Sequence, residues 1–189
     1  MKQALRKMAN CVLGLAGWEL QRVTTNPNIV TSGDIVRVMH GGKRYEMFVA
    51  NRMDFIQRCH FAGTLFEPEE LELIARHFKP GGTFVDIGAN VGNHTAFAAV
   101  ELDAAAVHAF EPSDGAFRVL KTNVALNDLT GRVRLVKKAL SDQAGTANLE
   151  NALATNIGRA RIVEGATGAT EQIAIAVGDT ELADIDVDF

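Results

Sequence analysis

The segment Phe84-Val-Asp-Ile-Gly-Ala-Asn-Val-Gly-Asn-His-Thr95 places Asp86 two residues before Gly88, with a second glycine at Gly92. It reads as a short buried strand, a glycine-bearing turn and the start of a helix. In open α/β sheets, ligands sit at the carboxyl ends of the strands, where backbone amides and a helix N-terminus face them. A nucleotide-like ligand is therefore expected here. A dinucleotide fingerprint would need glycine at Gly88, Asn90 and Asn93, the second so that a pyrophosphate can lie against the backbone, and only the first is glycine. No Gly-Lys-Ser/Thr follows, so a phosphate-cradling P-loop is excluded as well. A nucleoside without phosphates tolerates such a loop, and S-adenosylmethionine is the common one. Its methionine end asks for donors to a carboxylate, which the Gly88 and Gly92 amides can offer, and for an acceptor of an ammonium, which Asp86 can offer.

A second acid agrees with this reading. Val107-His-Ala-Phe110 reads as a strand ending in Glu111-Pro112, and Glu111 lies 23 residues after Gly88. An acid near that spacing, at the end of the second strand, accepts hydrogen bonds from ribose hydroxyls. His94, in the first helical turn beside the loop, is a candidate general base. His40, His60, His77 and His108 have no paired ligand spacing, and Cys11 and Cys59 stand 48 residues apart, so no metal site or disulfide framework is expected. Asn123 and Asn127 read as helix-end and turn residues.

The elements that must hold these residues follow from periodicity. Ile35–Met39 and Tyr45–Val49 flank His40-Gly-Gly-Lys-Arg44 as a β-hairpin. Pro68, followed by two acids and closed by Lys79-Pro-Gly-Gly82, marks a helix over 68–79. Strands at 83–87, 106–110 and 133–137 alternate with helices at 93–102 and 114–126, which implies right-handed crossovers and a parallel sheet covered on both faces. In 143–178 only Gln172–Val177 reads as a strand, the rest as loop.

Composition sets outer bounds. Of 189 residues, 47% are hydrophobic and 22% charged, so the chain can bury a core. Nineteen Lys and Arg against 23 Asp and Glu give a net charge of -4, with no global field toward nucleic acid. No run approaches the ~20 apolar residues that span a bilayer, so no stable membrane insertion is expected. The basic head with Lys2, Arg6 and Lys7 reads as an amphipathic helix, since Asn10 and the lack of a small-residue cleavage site before Glu19 argue against a signal peptide. A reducing cytoplasm suits the two thiols. The domains expected are an N-terminal helix and linker, 1–33, and one α/β domain, 34–189.

FVDIGANVGNHT, VHAFEPSDGAFRVLKTNVALNDL, VRLVKKALSD and the lead-in FAGTLFEPEELELIARHFKPGG together resemble the FkbM-like family of S-adenosylmethionine-dependent methyltransferases. The resemblance covers roughly residues 34 to 189. It implies O-methylation of a hydroxyl on a sugar or polyketide-type small molecule. By position, Asp86, Gly88, Asn90 and Gly92 would line the methionine side of the cofactor and Glu111 would hold the ribose. Pro112 and Ser113 would flank the adenine, and Ala139, Leu140 and Ser141 would close on the ring. Asn156-Ile-Gly158 falls where the family has an Asn-x-Gly near the active-site mouth.

The fold it implies is a Rossmann-like class I methyltransferase sheet with helices on both faces. The match is incomplete: strands one to three, with an N-terminal helix and β-hairpin. The fourth strand would begin where GDTELADIDVDF ends, an alignment preferred to one that takes IDVDF itself as a degenerate fourth strand, because no lysine precedes it and no glycine follows it; a hydrophobic parallel edge would then stay unpaired, favouring oligomers. Two other readings follow: a non-catalytic nucleotide-binding or interaction module, and a nicotinamide-dependent oxidoreductase, which Asn90 and Asn93 disfavour.

Overall fold

The computed structural model describes residues 33–150, 161–163 and 170–189. The expected N-terminal helix and Asn156-Ile-Gly158 lie outside these residues.

Strands β1 (Asp34–His40) and β2 (Lys43–Val49) form the antiparallel hairpin, with His40 opposite Lys43. Gly41 and Gly42 turn it with φ of 51° and 80°, a left-handed pair that glycine adopts without penalty. Alternation buries Tyr45, Met47 and Val49 on one face of β2. Helix α1 (Phe55–Phe61), which no sequence signal announced, opens on Asp54, whose carboxylate accepts the Gln57 amide at 3.0 Å. Helix α2 (Pro68–His77) has proline in its first turn and buries Leu71 and Ile74.

The alternating half follows: β3 (Thr83–Ile87), α3 (Asn93–Val100), β4 (Ala106–Phe110), α4 (Asp114–Leu126) and β5 (Val133–Val136). The three strands are parallel in the order β3-β4-β5, with Thr83 opposite Ala106 and Val107 opposite Val133. Phe84, Val107 and Ala109 from the sheet, Ala96 to Ala99 from α3 and Leu120 and Val124 from α4 share one core with Tyr45 and Met47 of the hairpin.

The hairpin is tied to α4 by asparagines. Asn123 Oδ1 accepts the Phe48 amide at 2.6 Å while its Nδ2 donates to the Val91 carbonyl at 2.7 Å. One turn on, Asn127 accepts the Glu46 amide and donates to the Glu46 carbonyl, at 2.9 and 2.8 Å. Helix residues four apart thus satisfy alternate residues of β2, as a neighbouring strand would. Asn123 is a buried strut, not only the helix-end residue it was expected to be.

In 143–178 the expected strand at Gln172–Val177 is present, but the expectation of loop for the rest is corrected. Strands β6 (Ala139–Ser141), β7 (Gly145–Glu150), β8 (Arg161–Val163) and β9 (Thr170–Val177) form a second sheet in the order β6-β9-β7-β8, followed by the short helix α5 (Gly178–Glu181). Antiparallel pairing of β7 with β9 over six residue pairs holds it together.

The edge of β3 is also corrected. The Phe189 amide donates to the Thr83 carbonyl at 3.3 Å and the Val85 amide donates to the Phe189 carbonyl at 2.8 Å, a parallel bridge opposite Phe84. The Phe84 and Phe189 rings stack at 5.6 Å, and the Asp188 carboxylate accepts the Thr83 amide. The start of β3 is therefore paired, whereas Ile87 at its other end is 62% exposed.

Candidate functional site

Strands β3 and β4 both deliver a buried acid at their carboxyl ends. Asp86 accepts a hydrogen bond from the Thr95 hydroxyl at 2.5 Å, which orients it from the first turn of α3. Burial pushes its carboxyl up, with the Thr95 hydroxyl and the His94 charge opposing the shift. Glu111 follows β4 directly. One of its oxygens accepts the Asn90 amide at 2.9 Å and the other the Ser113 amide at 2.8 Å. Burial raises its carboxyl too, against those two amides. One side chain thereby ties the turn after β3 to the start of α4.

The turn takes its shape from three left-handed residues, Gly88 (φ 81°), Asn90 (φ 50°) and Gly92 (φ 88°). A Cβ built on Gly88 meets nothing within 4 Å, whereas one on Gly92 would stand 2.6 Å from Leu120 Cδ1 in the core. The first glycine keeps space clear above the turn, and the second lets α3 approach α4. The amides of Gly88 and Ala89 both donate to the Phe110 carbonyl, and that of Gly92 donates to Ala89. This corrects the expectation that the Gly88 and Gly92 amides serve a ligand carboxylate, because the β3–β4 ladder and the turn itself use them. The amides that helix geometry leaves without intrahelical partners are those of the first turn of α3, where no side chain caps the helix. Asn90 Oδ1 is buried without a hydrogen-bond partner, an acceptor that a ligand donor would satisfy.

The other expected residues distribute differently. Ser113 is the N-cap of α4 without a side-chain cap bond. The Asp114 amide donates instead to Glu171 Oε1 of β9 at 2.6 Å, with Ser113 Oγ 3.4 Å from Glu171 Oε2. Pro112, between Glu111 and Ser113, is half-buried. Ala139, Leu140 and Ser141 form β6, paired in parallel with Ile175, Ala176 and Val177, and the Ser141 hydroxyl donates to Asp142. Among the described residues no hydrogen bond joins them to Asp86, Asn90 or Glu111. Asn93 faces away from the turn: its side chain accepts the Phe66 amide at 2.9 Å and donates to the Phe66 carbonyl at 3.0 Å, and His60 Nε2 lies 3.0 Å from its Oδ1. His94, next in the helix, brings one ring nitrogen within 4.8 Å of carboxylate oxygens of Glu67 and Glu70. Sequence reasoning missed that grouping. Its three members come from two segments whose approach depends on the Asn93–Phe66 clamp.

No protein-family model matches the chain. The 31-O-demethyl-FK506 methyltransferase FkbM of Streptomyces tacrolimicus is 33% identical over 100 residues, covering 53% of this chain and 36% of that protein. The methyltransferase sdnD of Sordaria araneosa is 38% identical over 65 residues, covering 34% of this chain and 25% of that protein. The chain thus spans well under half the length of these curated relatives. Among solved structures, the complex of aTrm5 with tRNALeu is 20% identical with a TM-score of 0.39, covering 55% of this chain and 28% of that one. The resemblance to FkbM-like methyltransferases is therefore shown in sequence, and the α/β architecture with a parallel sheet is the fold. The exclusion of nucleic acid is corrected: a tRNA-bound protein is among the structures similar to this chain. A net charge of -4 sums over the whole molecule and excludes no local binding surface. Among the described residues, no helix is long and apolar enough to cross a membrane.

Proposed function

We propose that the chain binds S-adenosylmethionine at the β3–β4 crevice and serves methyl transfer to oxygen, the acceptor being a hydroxyl of a sugar or polyketide-type small molecule. The observation that carries the cofactor reading is the set of unsatisfied and buried acceptors around the turn: Asn90 Oδ1 without a partner, and the Asp86 and Glu111 carboxylates held out of water. A nucleoside with an ammonium and two ribose hydroxyls supplies donors of that number and kind. When bound, the cofactor would supply an electrophilic methyl on a sulfonium.

The chain's own residues would bind and orient. Glu111, fixed by two amides, keeps further lone pairs for ribose hydroxyls. Asp86, fixed by Thr95, would accept from the ammonium, and the open side of Gly88 would admit the ligand. Holding two reactants in line and away from water is the main contribution such a protein makes to methyl transfer. His94 would take the hydroxyl proton in this reading. The acceptor class follows the activity named for the FkbM relative, and a cytoplasmic location is proposed because a reducing compartment suits a free thiol such as that of Cys59.

Calorimetric titration with S-adenosylhomocysteine tests the cofactor site. Micromolar binding by the wild type, lost in Gly88→Arg, supports it, and no binding by the folded chain rejects it. The acceptor is tested separately, by transfer of labelled methyl to sugar and polyketide hydroxyls with an RNA acceptor beside them. Labelling of the RNA alone would reject the small-molecule reading.

A further inference from the structure

We propose that Glu67, Glu70 and His94 form a binding site for one divalent first-row transition ion, with Zn2+ the best fit, where the start of α2 meets the start of α3. This goes beyond the methyl-transfer reading and leaves its cofactor site untouched, but an ion held here would occupy His94 and take the place of the proton-accepting role given to it above.

The three residues offer two carboxylates and one imidazole, and one ligand atom from each lies within 4.8 Å of the other two. Around Zn2+, with bonds of about 2.0–2.2 Å to nitrogen and oxygen, tetrahedral ligand atoms stand about 3.4 Å apart. The ligand atoms must therefore close by at most roughly 1.4 Å, which the terminal torsions of two glutamates allow. Imidazole beside carboxylate selects transition ions over Mg2+ and Ca2+, which prefer oxygen alone.

The cluster is built before any ion arrives. Asn93 grips both polar backbone groups of Phe66, and His60 braces Asn93, so Glu67 and His94, each next to a clamped residue, are held near one another. Glu67 takes a left-handed backbone, φ 55°, that non-glycine residues seldom adopt. Among the described residues, neither glutamate pairs with a lysine or arginine. His94 Nε2 is buried and has no hydrogen-bond partner. Two crowded acids without a lysine or arginine partner, beside an imidazole, constitute a donor set that a bound ion would complete.

The test uses the full chain after chelator treatment, titrated with Co2+ and followed by its visible absorption, then with Zn2+ in competition. Glu70→Gln is the principal variant because Glu70 is exposed and its change leaves the core untouched. His94→Asn is the second. The proposal expects one equivalent of Co2+, displaced by Zn2+, with affinity falling at least tenfold in each variant. It also expects a Zn2+-dependent rise in melting temperature that Glu70→Gln abolishes. No saturable binding, an affinity unchanged in Glu70→Gln, or Mg2+ binding as tightly as Zn2+ would overturn it. None of these readouts involves a methyl donor, so failure here leaves the cofactor reading standing, and the reverse holds too.

Discussion

Gly88 and Gly92 share a left-handed backbone, yet substitution separates their roles. Alanine at either position meets a conformational penalty of about 1 kcal/mol, but at Gly92 it also presses on Leu120 in the closed core, adding about 1–3 kcal/mol. Gly92→Ala should therefore lower the denaturation midpoint clearly more than Gly88→Ala. Gly88→Arg should leave the fold intact and remove ligand binding. Glu111→Ala takes away the acceptor shared by the Asn90 and Ser113 amides as well as a ribose partner, and should weaken S-adenosylhomocysteine about tenfold in calorimetry. Asp86 gives a pH signature. Its folded-state pKa lies above the unfolded value because of burial, so its contribution to stability is present at low pH and is lost as pH rises through the folded pKa. The ligand-free Asp86→Asn variant keeps an acceptor for Thr95 and should melt higher than wild type at pH 7. That advantage should shrink as the pH falls and wild-type Asp86 takes up its proton. An advantage that grows on acidification would contradict this assignment.

At the scale of elements, the hairpin depends on a helix. Asn123→Ala leaves the Phe48 amide and the Val91 carbonyl without their partner in a buried setting. It should cost about 1–3 kcal/mol by chemical denaturation, and more than Asn127→Ala at the wetter end of the same seam. The elements around the site were legible in sequence almost to the residue. Thr83–Ile87, Ala106–Phe110 and Asp114–Leu126 are short apolar or periodic runs bounded by glycine, proline and acids, and the structure places them at those limits. The positions of Asp86, Glu111 and the glycine turn followed. Three things were not legible. Helix α1 is only seven residues long and rich in aromatics. The second sheet is built from Ala-, Gly- and Thr-bearing strands whose pairing is non-local. The destination of the loop amides depends on the ladder between β3 and β4, which no local pattern encodes.

For the whole molecule, Asp188 and Phe189 cover the start of the β3 edge. Phe189 stacks on Phe84 and makes a parallel bridge with β3, the neighbour that the less favoured alignment, with IDVDF as a degenerate fourth strand, gives it. Phe189→Ala should lower stability by about 0.5–1.5 kcal/mol, measured by urea denaturation, and should weaken the ligand only through the position of β3. The crevice draws on both halves of this arrangement: β3 supplies Asp86 and the turn, and β4 supplies the acid that fixes the turn. The most direct measurement of that account is titration of the purified 189-residue chain with S-adenosylhomocysteine, wild type beside Gly88→Arg, with circular dichroism confirming that both are folded. Saturable micromolar binding by the wild type and none by the variant is the expected result. A folded wild type that binds nothing, or a variant that binds equally well, would contradict it.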